Sequence, residues 1–425
     1  MEAYAQALNI AIPIFVILIA IEAFVAHLKG MPINRGADAI SSLSSGVTNV
    51  VKDVLGLSVV IVSYGWLVNH LALIELKATW AVYAVAFVVK DFAGYWVHRL
   101  EHEVNFLWNR HIIHHSSEEF NLSCALRQSI SSVLSFAAIF MIPAALLGVP
   151  AQVIAVIAPI HLFLQFWYHT RVIGKLGFLE KVLVTPSHHR VHHAMNPPYL
   201  DKNYSQIFII WDKLFGTFQP ELEDVPPVYG VKRPVHTWNP IVINFQHFWL
   251  LLKDAWRTRN WKHKLLIWFK PTGWRPPDVA ARFPVETVED FSNFEKYDSH
   301  PSKALLSWSW FQLVVTLALM FYMFNQLAAI GFPLVLVYGA FLFVSVYSYT
   351  TLLDKSPWAL LAEFIRFVFG MGTLMALGGW YGAEAFYEHA GIAMAIYLTL
   401  SLLVTGWFVF TECRGEQTEM TAAKA

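Results

Sequence analysis

Long apolar runs alternate with polar segments along this chain of 425 residues. A helix needs roughly 18 or more mainly apolar residues to cross a bilayer core about 30 Å thick. Runs that meet or approach this length lie at about residues 8–27, 53–72, 79–97, 129–147, 151–168, 304–325, 332–352, 357–379 and 391–411. The pattern therefore predicts an all-α, polytopic membrane protein with about nine transmembrane helices.

The same alternation divides the chain into four regions. Within the third of them, residues 241–270 interleave Trp and Phe with Lys and Arg, which is typical of a helix in the lipid headgroup region. A soluble amphipathic helix packed on the neighbouring region is the alternative. We expect N-terminal transmembrane helices over 1–78, a histidine-rich region over 79–220, a cytosolic or interfacial amphipathic segment over 221–303 and a four-helix transmembrane region over 304–425.

Composition agrees with a membrane protein. Hydrophobic residues make up 56% and charged residues 14% of the chain, whereas about a quarter of the residues in soluble domains are charged. The net charge is zero, so nothing indicates a nucleic-acid partner. Two cysteines, Cys124 and Cys413, are too few for a disulfide framework or a cysteine metal site.

The basic residues predict the orientation in the membrane. Of the 30 Lys and Arg residues, 18 lie between Arg171 and Lys303. Because cytoplasmic loops carry an excess of basic residues, we expect this stretch and the adjoining histidine-rich region to face the cytosol. The membrane would be the cell inner membrane in a bacterium or the endoplasmic reticulum in a eukaryote.

Histidine is the unusual residue, since 11 of the 18 histidines lie between His98 and His193. Residues three or four apart on a helix share a face, so each of three sets can present its rings toward one point. The eight imidazoles exceed the three or four that a single tetrahedral zinc takes, which indicates two metals. An all-nitrogen shell without thiolate favours a redox-active pair that activates O2. The sets are His98 and His102; His111, His114 and His115; and His189, His192 and His193.

Several further residues are candidates for this site. His169 ends a predicted span and is either a ninth ligand or a hydrogen-bond donor, whereas His188 breaks the helical register and His161 is expected to contact a neighbouring helix. A ligating imidazole usually donates its other N–H to a carboxylate or carbonyl group. Asp91, seven residues before His98 on the same helical face, and Glu103 are the leading acids, followed by Glu118, Glu119, Asp201 and Asp212.

The motifs H-x3-H at His98, H-x2-H-H at His111 and H-x2-H-H at His189 resemble the fatty acid hydroxylase/sterol desaturase superfamily. The surrounding stretches D-F-A-G-Y-W-V-H-R-L-E-H-E-V-N and Q-F-W-Y-H-T are similar to its alkylglycerol monooxygenase branch, over about residues 40–275. The resemblance implies that residues 79–220 form a di-iron catalytic domain that uses O2. It also implies that the eight clustered histidines are the iron ligands and that Glu103 matches an acid of the branch.

The branch further implies hydroxylation of the ether-linked carbon of an alkylglycerol, which gives a fatty aldehyde and a glycerol derivative. Tetrahydrobiopterin would supply the electrons, although no motif here marks its site. One alternative is a sterol or fatty acyl hydroxylase or desaturase with a separate reductase. The other is a metal transporter, which is disfavoured because the histidines lie at the ends of spans rather than near the midplane.

Overall fold

The computed structural model describes residues 2–60, 62–132, 134–135 and 137–413, and these residues are mostly helical. Six helices are long and apolar enough to cross a membrane. We number the α-helices in chain order. They are α1 (Glu2–Leu28), α2 (Gly36–Val54), α3 (Tyr64–Leu71), α4 (Trp80–Glu103), α5 (Asn105–Trp108), α6 (Ile112–His115), α7 (Ile142–Leu146), α8 (Ala151–Phe163), α9 (Pro186–His192), α10 (Ile210–Phe215), α11 (Pro240–Arg257), α12 (Trp261–Leu266), α13 (Pro277–Arg282), α14 (Lys303–Asn325), α15 (Leu327–Ile330), α16 (Leu334–Leu353), α17 (Ala359–Leu377) and α18 (Ala390–Phe408).

Shorter elements connect these helices. A small parallel sheet pairs β1 (Val59–Val60) with β2 (Leu134–Ser135). The membrane candidates are α1, α4, α14, α16, α17 and α18, the last extended by a short π-helical turn to Cys413. The 3-10 turns are Cys124–Leu126, Ala137–Met141, Gly177–Lys181 and Ala383–Ala385.

The predicted fold class, a helical polytopic membrane protein, is confirmed, but the count of nine spans is not. In the 53–72 run, Gly56 adopts a φ of +64° that ends the helix, and α3 then has only 8 residues. In the 129–147 run, Ile130 N donates to the side chain of Asn244 at 3.0 Å instead of to a helix carbonyl group. The α-helix in this run, α7, has only 5 residues. The 151–168 run forms the 13-residue α8. The orientation, which depended on that count, stays a prediction.

Helix α2 joins the C-terminal helices to the central region, although its many small polar residues gave no apolar run. One of its faces packs against α14 and α16, where Gly339 lies directly over the Leu55 side chain. On the central side, Ser42 accepts a hydrogen bond from Arg127 Nε at 3.0 Å. Ser44 meets the Tyr349 hydroxyl of α16 at 2.6 Å. The two halves of the molecule therefore share one buried helix.

A buried ion pair lies inside the C-terminal bundle. Arg366 and Glu363, on one turn of α17, are 2.5 Å apart and almost fully buried. Arg366 also donates to the Tyr397 hydroxyl of α18 at 2.8 Å, and Gln312 of α14 donates to Ser401 of α18 at 2.6 Å. Because a charge within the membrane is costly unless it is paired, this network fixes how the three helices pack together.

The turn between α7 and α8 makes a close backbone contact that only glycine permits. A Cβ atom at Gly148, whose φ is +68°, would lie 1.7 Å from the carbonyl oxygen of Ile74. Gly30, with a φ of +64°, has no atom within 4 Å of the same position. The turn therefore sets how closely the loop before α4 approaches α8.

We predict that Gly148→Ala destabilises the protein far more than Gly30→Ala. Both variants carry the cost of a left-handed conformation, about 1 kcal/mol, but only Gly148→Ala adds a backbone clash. Thermal unfolding in detergent, followed by circular dichroism, compares the two melting temperatures. Equal shifts would contradict the close contact.

Candidate metal centre

Four short segments bring the predicted histidines together. The last turns of α4 carry His98 and His102, and the chain then turns back through α5. The other segments are α6 with the residue before it, the loop after α8, and α9 with the residue that caps it. The segment at α6 carries His111, His114 and His115, and the loop after α8 carries His169. The segment at α9 carries His189, His192 and His193.

The nine imidazoles form two groups, and within each group one ring nitrogen of every residue lies within 4.8 Å of the others. His169 belongs to the second group, and its role as a ninth ligand stays a prediction. We call them the five-histidine group (His98, His102, His111, His115 and His192) and the four-histidine group (His114, His169, His189 and His193).

The groups do not follow the sequence clusters, so the expectation that each cluster presents its rings toward one point is wrong. His114 points to the four-histidine group although His111 and His115 point to the other. Likewise His192 separates from His189 and His193. Residues three or four positions apart differ by tens of degrees around a helix axis, so adjacent rings can reach different points when two points lie close together.

The distances between ring nitrogens test whether metal ions fit. Nε2 of His98 lies 3.0 Å from Nε2 of His111 in the five-histidine group. In the four-histidine group, Nε2 of His189 lies 2.8 Å from that of His169 and 3.1 Å from that of His193. Two ligands at a right angle with metal–nitrogen bonds of about 2.1 Å have nitrogens about 3.0 Å apart. The spacing is therefore that of a coordination shell.

Burial favours the neutral form of the imidazoles that lie outside α4. It lowers the pKa of His114 to about 3, with further lowering by neighbouring histidines. Burial and neighbouring imidazoles also hold the pKa values of His115, His189 and His193 well below the usual range. A neutral imidazole presents a lone pair. Lone pairs that face one another about 3 Å apart repel, and a cation between them removes the repulsion, so the donor set fits metal ions.

Backbone carbonyl groups fix the orientation of several rings. An Nδ1–H that donates outward leaves Nε2 as the inward-facing lone pair. His189 Nδ1 and His192 Nε2 are buried and have no hydrogen-bond partner among the described residues, and a metal would satisfy the latter. Four Nδ1 atoms donate to backbone carbonyl oxygens in this way. The pairs are His98 with Tyr204 at 2.7 Å, His114 with Arg127 at 3.2 Å, His169 with Gln165 at 2.9 Å, and His192 with Lys202 at 3.0 Å.

Buried carboxylates hold the carbonyl groups rather than the rings. Asp212 accepts hydrogen bonds from the backbone N–H groups of Tyr204 and Ser205, both at 2.8 Å. Asp38 pairs with Arg127 at 2.7 Å, and both side chains are almost fully buried. Each acid therefore positions a residue whose carbonyl oxygen orients an imidazole of one group.

Asp91 lies outside both groups. Its oxygens accept from Ile207 N at 2.9 Å and Trp211 Nε1 at 2.8 Å, and from Nε2 of His161 at 2.9 Å. The residue therefore ties the loop before α10 to α4 and α8, and the imidazole that it contacts is that of His161. His161 is a contact between α4 and α8, as its position in the sequence indicated.

Among the described residues, Glu103 pairs with Arg99 at 2.9 Å rather than with a histidine of either group, and its side chain is exposed. The neighbouring acid, Glu101, was missed by the sequence analysis. Its Oε2 lies 3.7 Å from Nδ1 of His111, and its Oε1 lies 3.1 Å from Arg110. Both acids flank His102 in the sequence, and only the direction of the helix face separates them.

The remaining residues predicted from the sequence also divide into those next to a histidine group and those that contact other parts of the chain. Asp201 Oδ1 lies 3.7 Å from Nδ1 of His102, so it is next to the five-histidine group. Glu118 accepts from Tyr297 N, and Glu119 pairs with Lys296 at 2.7 Å, so both acids connect to the segment before α14. His188 is buried against Phe218 and belongs to neither group.

Comparison with known proteins places the chain in a family. A family model described as fatty acid hydroxylase matches residues 83–217, which contain all nine histidines. The alkylglycerol monooxygenase of Homo sapiens is 38% identical over 359 residues, covering 84% of this chain and 80% of that protein. This chain belongs to the alkylglycerol monooxygenase family.

More distant relatives extend the comparison. The alkylglycerol monooxygenase of Caenorhabditis elegans is 36% identical over 252 residues, covering 56% of this chain and 49% of that protein. An ornithine lipid hydroxylase of Rhizobium tropici is 34% identical over 131 residues, covering 31% of this chain and 40% of that protein. No solved structure gives a significant match. As a member of the alkylglycerol monooxygenase family the chain is a lipid-hydroxylating oxidoreductase, so the predicted enzyme class is confirmed.

In this family member a cavity of about 390 Å³ opens next to the five-histidine group. His102, His115 and His192 line it, and α11 forms a further wall. Tyr204, which the sequence analysis also missed, packs its ring 5.3 Å from that of His102. Its hydroxyl is buried without a partner among the described residues.

We predict that Asp212→Asn weakens metal binding about 10–100-fold, the usual effect of losing a group that orients a ligand. The amide would place its NH2 group against one of the two backbone donors and so loosen the Tyr204 carbonyl from its position beside His98. Chelator competition on purified protein measures the affinity. Asp224→Asn, at an exposed acid of the same region, is the control. Unchanged affinity in Asp212→Asn would contradict the positioning role.

Proposed function

We propose that this protein is a di-iron monooxygenase that oxidises the ether-linked carbon of an alkylglycerol with O2 and a tetrahydropterin as reductant. One observation carries the proposal: two adjoining groups of mostly buried imidazoles lie in a member of the alkylglycerol monooxygenase family. Five and four nitrogen donors suit one ion each, and iron accepts such ligands. The nine histidines are then the metal ligands.

The proposed reaction is balanced by the reductant. One oxygen atom of O2 is inserted into the C–H bond of the carbon next to the ether oxygen. The other oxygen atom is reduced to water by two electrons from the reductant and takes up two protons. The hydroxylated carbon is a hemiacetal, whose C–O bond breaks to give a fatty aldehyde and a glycerol derivative. When bound, the two irons would supply the activation of O2.

The residues of the chain would hold the metal ligands in position and exclude water from the centre. The carbonyl-anchored imidazoles of His98, His114 and His192 leave each group little freedom, and preorganised ligands of this kind favour one metal geometry. Phe120 packs on the four-histidine group with its ring 5.1 Å from that of His193. An apolar cover of this kind keeps water from the oxidising centre.

The cavity beside the five-histidine group supports access for a polar reductant or a lipid headgroup. The side chains of Trp108 and Trp274 offer flat surfaces there, and Gln246 and Arg233 offer polar groups. We place this side in the cytosol because most basic residues follow α8 in the sequence. The membrane would be the inner membrane in a bacterium or the endoplasmic reticulum in a eukaryote.

A second candidate is hydroxylation of a fatty acyl or sterol substrate with a protein reductase, which the match to the fatty acid hydroxylase model favours. A metal transporter is a weaker alternative, because both groups lie at or beyond the last turns of α4 rather than near the middle of a span. The reductant and the product separate the first two.

We predict that His192→Ala and His189→Ala each lose one of two bound irons and abolish turnover, because each removes a ligand from a different group. His188→Ala, at a buried histidine outside both groups, keeps both irons and serves as the control. Iron per chain is measured by inductively coupled plasma mass spectrometry. If both ligand variants retain two irons and full turnover, the proposal fails.

We further predict that iron-loaded protein in vesicles releases fatty aldehyde from a glyceryl ether only when a tetrahydropterin is added. Mass spectrometry of the lipid products, with and without the pterin, is the measurement. An alkane analogue that lacks the ether oxygen is the control substrate, since it can form no hemiacetal. Hydroxylated acyl lipid that depends on a reductase instead would support the second candidate.

A further inference from the structure

Helix α11 has apolar residues on two opposite faces. One face is buried, and Ile243, Leu250 and Leu251 lie on it. The opposite face should be polar if water surrounded it, but its residues, spaced alternately three and four apart, are all apolar and exposed. They are Val242, Phe245, Trp249, Leu252 and Trp256.

The same surface continues beyond the bend at residues 258–260. Trp261, Leu265 and Phe269 follow at intervals of four residues and are 78%, 71% and 76% exposed. We call these three residues and the five exposed apolar residues of α11 the aromatic surface. Exposed apolar side chains in this number indicate a site of interaction, and Trp in particular prefers the boundary between water and lipid.

The charges around the aromatic surface identify the partner. Residues 240–270 contain six basic residues and one acid, Asp254. That acid is already occupied, because Arg275 donates to its two oxygens at 2.6 and 2.9 Å. The segment therefore carries a surplus of positive charge beside an apolar surface, a combination that suits an anionic lipid leaflet. The basic residues are Lys253, Arg257, Arg259, Lys262, Lys264 and Lys270.

Backbone hydrogen bonds fix the level of this surface relative to the membrane. The membrane candidate α4 ends at Glu103, and the carbonyl oxygen of Glu103 accepts from Thr272 N at 3.2 Å. The next residues along the chain, Asn105 and Phe106, donate to the carbonyl oxygens of Lys270 and Trp268, both at 3.0 Å. The end of the aromatic surface is thus tied to the point where α4 leaves the bilayer.

We propose that the aromatic surface inserts into the headgroup region of an anionic leaflet, where α11 separates the lipid from the cavity. The buried side of the same helix supplies His247, Leu250 and Leu251 to the cavity wall. One helix therefore contacts the leaflet with its outer face and the cavity with its inner face. That α11 borders the path of a lipid substrate rests on the proposed function, whereas the insertion does not.

Spin labels at single cysteines test the insertion. Both native cysteines are buried, so Trp249→Cys and Trp256→Cys place the label on the aromatic surface alone. Glu295→Cys, at an exposed acid of the following segment, is the matched control. In nanodiscs we expect collisions of the first two labels with membrane-dissolved O2 to be several-fold more frequent, relative to a water-soluble nickel complex, than those of the control label. Equal ratios at all three positions would overturn the proposal.

Lipid charge tests the choice of partner. Nanodiscs of phosphatidylcholine alone are compared with nanodiscs that contain one part phosphatidylglycerol to three parts phosphatidylcholine. We expect the label at residue 256 to lie deeper in the anionic nanodiscs, and the double variant Lys253→Glu, Lys262→Glu to remove that difference. The same depth in both lipids would refute the anionic preference. No substrate is used, so these outcomes stand apart from any failure of the proposed reaction.

Discussion

Everything at the centre of this protein depends on nine ring nitrogens that face one another at close range. Nitrogen lone pairs about 3 Å apart repel unless a cation lies between them, and the separations of 2.8–3.2 Å are those of ligands on a shared ion. The surrounding residues can thus be understood by how they hold these rings in place. A bound metal would in this sense add to the stability of the central region.

The scaffold holds the rings from behind, and it does so mainly through the backbone. Carbonyl oxygens accept the outer N–H groups, and buried acids such as Asp212 and Asp38 fix the segments that carry those carbonyls. Asp91 lies further from the rings, where it joins α4 and α8 to the loop before α10. A carboxylate in this position would add no charge to the donor set of a bound metal.

The membrane and the metal centre are connected through a small number of elements. Helix α4 passes from an apolar span directly into the histidines, and α2 couples the central region to the C-terminal bundle through Ser42 and Ser44. On the other side, α11 has one face toward the cavity and another that is exposed and aromatic. An apolar substrate dissolved in the bilayer would therefore have a short route to the centre.

The sequence by itself determined the helical class, the candidate ligands and the family resemblance, because hydropathy and the spacing of histidines are local properties of the chain. It did not determine the number of long helices, since Gly56 and the contact between Ile130 and Asn244 break two apolar runs. Only the tertiary structure assigned His114 and His192 to different groups from their neighbours and brought Glu101 rather than Glu103 toward a ring. Those choices depend on the direction in which each side chain meets residues distant in sequence, and spacing along one helix does not contain that direction.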